Sequence, residues 1–307
     1  MSHRLAAPLL ALLAALAVAA PASALTIGIA DQKPDMFSDP RFQDSGIRFA
    51  RRAVAWDSLT SPSQTAALDE WLNAARNAHV DPLISFTHSS TDRRQLPSPE
   101  RLLYEFRRFR ARYPWVKEFA SWNEANHCGE PTCHRPELVA AYWRKLRRAC
   151  PSCRILGAEV LDMPNMTSWV KAFRRAAKVE PRYWGLHNYI DANRLRTSGT
   201  RRLLKATGHA LIWFTETGGI VSRVNRRKVT FPESASHAAI ATRFVFDDLV
   251  PLSPRITRVY LYHWNSEPGP KTWDSALIGP TGKPRPAFRV LERVLTELAL
   301  RKIGVAS

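Results

Sequence analysis

The feature that most constrains the fold is a regular alternation between β-type apolar runs and segments with helical periodicity. Eight runs rich in β-branched and aromatic residues end in polar residues, as the strands of a parallel sheet do. In chain order they are LTIGIADQ from residue 25, FARRAVAWD from 49, DPLISFTHS from 81, VKEFASWNE from 116, RILGAEVLD from 154, YWGLHNYID from 183, ALIWFTETGG from 210 and ITRVYLYHWN from 256.

Helical periodicity fills most of the gaps between these runs, with apolar residues recurring every three or four positions. The helical segments are 63–79, 98–112, 136–149, 166–179, 234–250 and 285–302. The first gap is short, and the gap 192–209 is only weakly helical. This alternation predicts an α/β fold, a single (β/α)₈ TIM barrel. A doubly wound sheet fits the sequence less well, because IGIADQ is not the Gly-rich phosphate-binding turn with which such sheets commonly begin.

The first 24 residues have the pattern of a signal peptide. His3 and Arg4 form a basic start, Leu5–Ala20 is an uncharged apolar run, and the small residues 22–24 form a cleavage site. A membrane anchor is the alternative, but the apolar run is short for one. The sequence therefore predicts cleavage after Ala24, secretion, no membrane span, and one barrel domain over 25–307, a length typical of this fold.

The chain is strongly basic, with 45 Lys and Arg against 27 Asp and Glu and a net charge of +18. A solvated, Arg-rich helix surface is the simplest interpretation. Attraction to anionic cell-wall polymers or acidic glycans is the second. Nucleic acid is not expected as a partner, because no recognition motif accompanies the charge and the export signal argues against it.

The four cysteines fall in two close pairs, Cys128 with Cys133 and Cys150 with Cys153. An exported chain meets an oxidising compartment, so disulfides are expected, and neighbour pairing is the simplest of three connectivities. Zinc ligation is the alternative, because CGEPTCH and CPSC together resemble ligand spacing. We expect no metal and no cofactor.

Two glutamates end strand runs and are the candidate catalytic groups: Glu124 in SWNEAN closes the fourth run and Glu216 in FTETGG the seventh. The carboxyl ends of barrel strands gather at one end of the barrel, the mouth. Strands three apart are separated by a chord of roughly 14 Å, which leaves about 6 Å between two inward-reaching carboxyl groups. That spacing lies in the range that glycosidases use for an acid and a nucleophile or base.

The WNE and TETGG motifs resemble those of clan A glycoside hydrolases, which are retaining (β/α)₈ enzymes, and are closest to families 39 and 5. The resemblance implies a retaining enzyme that cleaves β-linked polysaccharides or oligosaccharides by double displacement, and the predicted signal peptide makes it a secreted one. It implies that Glu124 is the acid/base, that Glu216 is the nucleophile and that Asn123 binds the 2-hydroxyl of the reacting sugar. An arginine on the second strand usually steadies the nucleophile, and Arg51 and Arg52 both compete for that role.

Supporting side chains follow from the ends of other strands. His187 and Tyr189 lie on one face of the sixth run, and the resemblance implies that they hold the nucleophile and the sugar. Trp264 ends the eighth run, where a flat aromatic ring would bind the C–H face of a pyranose. His88, at the end of the third run, is a further candidate for the mouth.

Two other functions are compatible with a barrel. A non-catalytic glycan-binding protein of the cell envelope is one, but such a protein would be expected to have lost one of the two glutamates. A metal-dependent hydrolase using His187 and His88 is the other, but the first run lacks the His-x-His motif that such sites often carry.

Overall fold

A computed structural model describes residues 25–224, 230–269 and 272–302. The predicted signal peptide, residues 1–24, lies outside the described residues. The (β/α)₈ prediction is confirmed: within these ranges nine parallel strand segments, two of them halves of the fifth predicted strand, form a barrel with helices outside it. Within the described ranges, no helix combines the length and the apolar character needed to cross a membrane.

All eight predicted strands are present, and the barrel order is β5-β4-β3-β2-β1-β10-β8-β7-β6. A further two short strands, β9 and β11, form a separate antiparallel pair. The bounds are β1 Thr26–Ala30, β2 Phe49–Ala55, β3 Asp81–Thr87, β4 Glu118–Ala120, β5 Arg154–Leu156, β6 Glu159–Leu161, β7 Tyr183–His187, β8 Leu211–Thr217, β9 Ser222–Arg223, β10 Ile256–Tyr262 and β11 Trp273–Asp274.

The fifth predicted strand closes the barrel and is broken in two by Gly157 and Ala158. Its first half, β5, pairs with β4, and its second half, β6, pairs with β7. Hydrogen bonds continue across the break, because the Gly157 N–H donates to the Tyr183 carbonyl at 2.8 Å and the Glu159 N–H donates to the Trp122 carbonyl at 2.9 Å. One segment therefore bonds to both neighbours, and the sheet has no open edge there.

The long helices match the predicted segments closely, because each buries an apolar face and most begin at a proline in the first turn. The sixth predicted strand ends at His187, and a short helix from Tyr189 takes up its last residues, whereas a second short helix lies within the weakly helical gap. The segment from 234 changes from α-helix to a π-helical turn over Val245–Leu249. The helices are α1 Pro40–Asp44, α2 Pro62–Asn77, α3 Pro99–Arg112, α4 Pro136–Ala149, α5 Met166–Ala177, α6 Tyr189–Asn193, α7 Ser198–Ala206, α8 Ala235–Phe244 and α9 Pro286–Lys302.

A buried arginine fills the end of the barrel opposite the mouth. The Arg258 guanidinium lies 4.1 Å from the ring centroid of Phe49 and 4.0 Å from that of Trp213, and it forms an ion pair with Glu118. Cation–π contacts of this kind are favourable where water is excluded. Because packed side chains fill this end of the barrel, the polar side chains that could form a site converge at the mouth.

Gly219, just beyond β8, lets α8 pack against the strand that carries Glu216. A β-carbon at this position would lie 2.1 Å from the Ala238 carbonyl oxygen and 2.2 Å from the Ala238 α-carbon. Both atoms belong to helix backbone, so the clash cannot be relieved by a side-chain rotation.

Replacing Gly219 by alanine should therefore destabilise the protein, lowering the free energy of unfolding by about 1–3 kcal/mol or more because the site is overpacked. Gly279→Ala is the matched control, since its β-carbon would meet nothing closer than the flexible Arg285 side chain at 3.4 Å. Urea unfolding followed by circular dichroism measures both. Equal losses of stability in the two variants would contradict the packing argument.

Candidate active site at the barrel mouth

Glu124 and Glu216 face each other at the mouth. One oxygen of each carboxylate and a ring nitrogen of His187 all lie within 4.8 Å of one another. Both glutamates keep contact with solvent, with 24% of the Glu124 side chain and 12% of the Glu216 side chain exposed. The two side chains, 92 positions apart in sequence, are therefore brought into one accessible polar site.

The backbone after β4 aims Glu124 into the mouth. The Asn123 N–H donates to the Phe86 carbonyl at 2.7 Å and the Ala125 N–H donates to the Glu159 carbonyl at 2.9 Å, so both neighbouring strands hold the turn. Glu124 itself has a φ of 44°, in the left-handed region that residues with a β-carbon seldom adopt. Such conformations persist where surrounding contacts enforce them, and they cluster at functional sites.

A bulge in β8 positions Glu216. Leu186 of β7 lies opposite Phe214, but the next residue, His187, lies opposite Glu216, so β8 holds one extra residue at Thr215. The register between β8 and β10 shifts at the same place. A bulge bends the strand and redirects the side chain beside it, which explains why Glu216 is aimed into the mouth.

Arg51 on β2 joins the nucleophile candidate to the rest of the site. Its guanidinium is completely buried, donates to Glu216 Oε1 and to both oxygens of Glu159, and donates to Asn123 Oδ1 at 2.6 Å. A bidentate arginine–carboxylate pair is among the strongest charged hydrogen bonds in proteins. Arg51 is therefore the strand-two arginine that contacts Glu216.

Arg52, the other sequence candidate, does not reach the mouth. Successive side chains of a strand point to opposite faces, so Arg52 points outward toward the helix layer. Its Nη1 donates to the Ala67 carbonyl at 2.7 Å, and its guanidinium lies 5.8 Å from the ring centroid of Trp71. This geometry contradicts the prediction that Arg52 contributes to the site.

Glu159 is a site residue that the sequence analysis missed. It is fully buried on β6, where it accepts from Ser85 Oγ at 2.8 Å in addition to its pair with Arg51. Burial opposes its ionisation, but the charge and hydrogen bonds of Arg51 prevail and lower the pKa of Glu159 to about 2. The sequence does contain a signal for this residue. Glu159 is a single carboxylate inside an apolar run, and a buried carboxylate needs a cation as its partner.

His187 links the two glutamates and is fully buried. Its Nδ1 lies 3.0 Å from Glu124 Oε1 and 3.8 Å from Glu216 Oε2, and its Nε2 lies 3.6 Å from Glu159 Oε2. Burial disfavours a charged imidazole, but the charge of Glu216 and the contacts with the other two carboxylates outweigh it and raise the pKa of His187 to about 9.

The protonation of Glu124 is tied to that of His187. Burial alone raises the pKa of Glu124, yet the hydrogen bond and charge of His187 lower it below the ordinary value of a glutamate. The two groups interact so closely that they titrate as a pair. With the pKa of His187 at about 9, this pair retains one proton throughout the neutral range.

Aromatic side chains surround Glu216, but Trp264 is not among them. The Tyr189 hydroxyl donates to Glu216 Oε2 at 3.2 Å, and its ring packs edge-on against half-buried Trp273 at 4.9 Å between centroids. Tyr262, the last residue of β10, is also half-buried, and burial and the charge of Glu216 raise its pKa.

Trp264 lies in the hydrophobic core, which contradicts the prediction that its ring binds a sugar. The side chain is completely buried, with its ring edge-on to Phe42 at 5.3 Å and to Phe288 at 5.6 Å. Its indole N–H donates to Asp39 Oδ2 at 2.9 Å. Neighbouring elements cover the ring, so no face is left for a sugar.

The cysteines form the disulfides Cys128–Cys133 and Cys150–Cys153, the simplest neighbour pairing. The first closes the loop after Glu124, and buried Glu130 within that loop lies 2.6 Å from His88 Nδ1. His88 therefore anchors the loop rather than joining the two catalytic candidates.

Two groups in the described part of the chain have the spacing of metal ligands. Cys128, Cys133 and His134 form the first, but a disulfide leaves no thiolate to bind zinc. Glu124, His187 and Glu216 form the second. Its charges do not suit a cation, because His187 holds a proton at neutral pH and Arg51 already neutralises Glu216.

Solved glycoside hydrolases share this fold. A family 39 glycoside hydrolase from Bacteroides cellulosilyticus WH2 matches over 90% of this chain and 64% of its own length, at 13% identity and a TM-score of 0.57. A family 39 β-xylosidase from Caulobacter crescentus matches over 89% and 71%, at 16% identity and a TM-score of 0.58. A family 5 mannosidase from Rhizomucor miehei matches over 89% and 92%, at 10% identity and a TM-score of 0.59.

These matches establish the fold. At the level of the fold, they confirm the resemblance to clan A families 39 and 5. The chain spans under two thirds of the family 39 hydrolase from Bacteroides, at 64% of its length. No family model matches the chain, and no curated protein matches its sequence.

Arg51→Met should destabilise the protein by about 3–5 kcal/mol, because it leaves Glu159 buried without its cation. Arg52→Met is the matched control and should cost about 1 kcal/mol or less, since Arg52 donates to a single carbonyl near the surface. Thermal and urea unfolding at pH 7 measure both changes. A loss in Arg52→Met as large as that in Arg51→Met would refute the assignment of Arg51 as the buried partner.

Proposed function

We propose that this protein is a secreted retaining glycoside hydrolase that cleaves β-linked polysaccharides or oligosaccharides. The observation that carries the proposal is the separation of the two carboxylates, whose facing oxygens lie within 4.8 Å. Retaining glycosidases place the two carboxyl groups about 5–5.5 Å apart, whereas inverting enzymes need about 6.5–9.5 Å to admit a water molecule. The shared fold with families 39 and 5 supports the same chemistry.

Glu216 is the proposed nucleophile. Arg51 and Tyr189 hydrogen-bond its two oxygens, which fixes the carboxylate for attack on the anomeric carbon. Asn123, held through its Oδ1 by Arg51, keeps its amide N–H groups for the 2-hydroxyl of the sugar. Glu124 is the proposed acid/base on the leaving-group side.

His187 supplies the proton that the acid step needs. In the free enzyme the Glu124–His187 pair holds one dissociable proton, because the charge of Glu216 is the largest of the contributions that raise the pKa of His187. Attack converts Glu216 into a neutral ester and removes that charge. The pKa of His187 then falls, and the pair can act as the base that accepts a proton from water in the second step.

The aromatic surface for the sugar is proposed to come from Tyr262 and Trp273 in place of Trp264. Both side chains are half-buried near Glu216, Trp273 through its packing on Tyr189. A flat ring at such a position can contact the C–H face of a pyranose while hydroxyl groups stay free to bond polar neighbours.

Secretion is proposed from two independent features. Residues 1–24 have the composition of a cleavable signal peptide, and the mature domain is taken as 25–307. All four cysteines are paired in disulfides, which form and persist in oxidising compartments.

Proton NMR of early products from a panel of β-linked glycans and aryl glycosides tests the proposal. We expect the first product to keep the anomeric configuration of the substrate, because double displacement inverts that centre twice. Glu216→Ala should lose turnover while retaining glycan binding. A first product of opposite configuration would exclude the nucleophile role, and binding without turnover by the native protein would favour a non-catalytic glycan-binding function.

The rate should fall on the alkaline side near pH 9, where the Glu124–His187 pair loses its proton. The raised pKa of His187 means that the proton is present below this pH and is lost above it. His187→Asn should move the alkaline limb of kcat/KM to lower pH for substrates with poor leaving groups, since Glu124 then titrates alone. General acid catalysis of this kind contributes about 10²–10⁴-fold.

Two controls accompany the pH profile. His127→Asn should move the alkaline limb much less, because His127 is 43% exposed and lies 3.6 Å from Glu124 Oε2. A dinitrophenyl glycoside needs no acid in the first step, so its kcat/KM, which reports that step, should be insensitive to either substitution on the alkaline side. An alkaline limb that stays in place in His187→Asn would show that His187 does not hold the proton.

A further inference from the structure

We propose that a groove between the C-terminal ends of α4 and α5 binds an anionic polysaccharide through its carboxylate, sulfate or phosphate groups. The groove has a volume of about 230 Å³. Three arginines of α4 and the lysine that follows α5 line it, and we call these four side chains and the space between them the basic groove: Arg144, Arg147, Arg148 and Lys178.

The positive charge of the basic groove is uncompensated. Among the described residues, no aspartate or glutamate forms an ion pair with any of its four cations, and the segments outside that description contain no acidic side chain. Other basic side chains around it are neutralised by partners, as in the pairs Lys145–Glu100, Arg154–Glu118 and Arg174–Glu180. The groove therefore concentrates a field that attracts anions.

Two of the cations are held in place before any ligand arrives. Arg144 donates from Nη1 to the Ala176 carbonyl, which ties α4 to α5. The Arg147 guanidinium lies 5.1 Å from the ring centroid of Trp143, and that ring is fixed because its Nε1 donates to the Ile155 carbonyl at 3.2 Å. Side chains that are already ordered lose less entropy when they bind.

Helix electrostatics explain where the four cations lie, but not why two helix ends converge on one concavity. Basic residues in the last turn of a helix are stabilised by the helix dipole, which explains Arg147 and Arg148. The neighbouring helix end holds the other two, because Arg144 donates to the Ala176 carbonyl in the last turn of α5 and Lys178 is the C-cap residue of that helix. The convergence of all four on one concavity points to a ligand.

The size and position of the basic groove indicate which class of ligand it binds. Pockets for whole small molecules measure about 300–1,000 Å³, so the groove suits one charged unit of a polymer. Trp143 is buried to 1% exposure, which leaves no exposed ring for stacking a nucleic-acid base. α4 ends just before β5 begins, at the end of the barrel opposite the mouth. A polysaccharide bound there leaves the mouth free, whatever reaction occurs in it.

Binding of heparin and of polygalacturonate to the full chain, measured by calorimetry at about 0.15 M salt, tests the proposal without any turnover. Arg147→Gln with Arg148→Gln should weaken binding by about tenfold. The matched control is Arg107→Gln with Arg301→Gln, which removes the same charge from exposed sites on α3 and α9 and should change the affinity less than about threefold. Thermal unfolding checks that both double variants remain folded.

Each other outcome would overturn the proposal. Equal weakening in both double variants would mean that the net charge of the whole molecule attracts polyanions and that the groove is not a site. A DNA duplex that binds as tightly as the polysaccharides, with the same sensitivity to Arg147 and Arg148, would show that the partner class is wrong. No binding of the native protein to either polysaccharide would remove the site altogether.

Discussion

The mouth of the barrel depends on one desolvated ion pair, that between Arg51 and Glu159. Both side chains are completely excluded from solvent, and a charge taken out of water costs several kcal/mol unless its partners replace the lost hydration. Arg51 therefore fixes the positions of Glu216 and Asn123 as well. Strands β2, β6 and β8 and the turn after β4 must keep their mutual register, because a shift in any of them would leave a buried charge unpaired.

The charges around this pair suit the proposed reaction, whose transition state is cationic. With His187 protonated, two cations, Arg51 and His187, face three carboxylates, Glu159, Glu216 and Glu124. The cluster then carries one net negative charge in a largely buried setting. Glycoside cleavage passes through an oxocarbenium-like state, and preorganised charge of opposite sign stabilises such a state more than it stabilises a neutral substrate.

The strands and long helices were predictable from sequence because each element shows its own burial pattern. The ends of the fourth and seventh strands were predictable for the same reason, since polar residues there contrast with apolar runs. Contacts between distant elements were not. Whether Arg51 or Arg52 faces inward depends on strand register, and the burial of Trp264 depends on rings from α1 and α9. Glu159 was hidden because it interrupts an apolar run rather than ending one.

In the proposed reaction, the geometry of His187 also determines which oxygen of Glu124 delivers the proton. Oε1 is taken by the hydrogen bond with His187 Nδ1, whereas Oε2 faces half-exposed His127 at 3.6 Å. The donating form must carry its proton on Oε2 while His187 Nδ1–H still donates to Oε1. The pair holds a single dissociable proton, so the proton that Oε2 gains is the one that His187 loses from Nε2, which has no hydrogen-bond partner within the described structure. Losing that proton breaks no hydrogen bond, so the shift from the stored form to the donating form is opposed mainly by the attraction of Glu216 and Glu159.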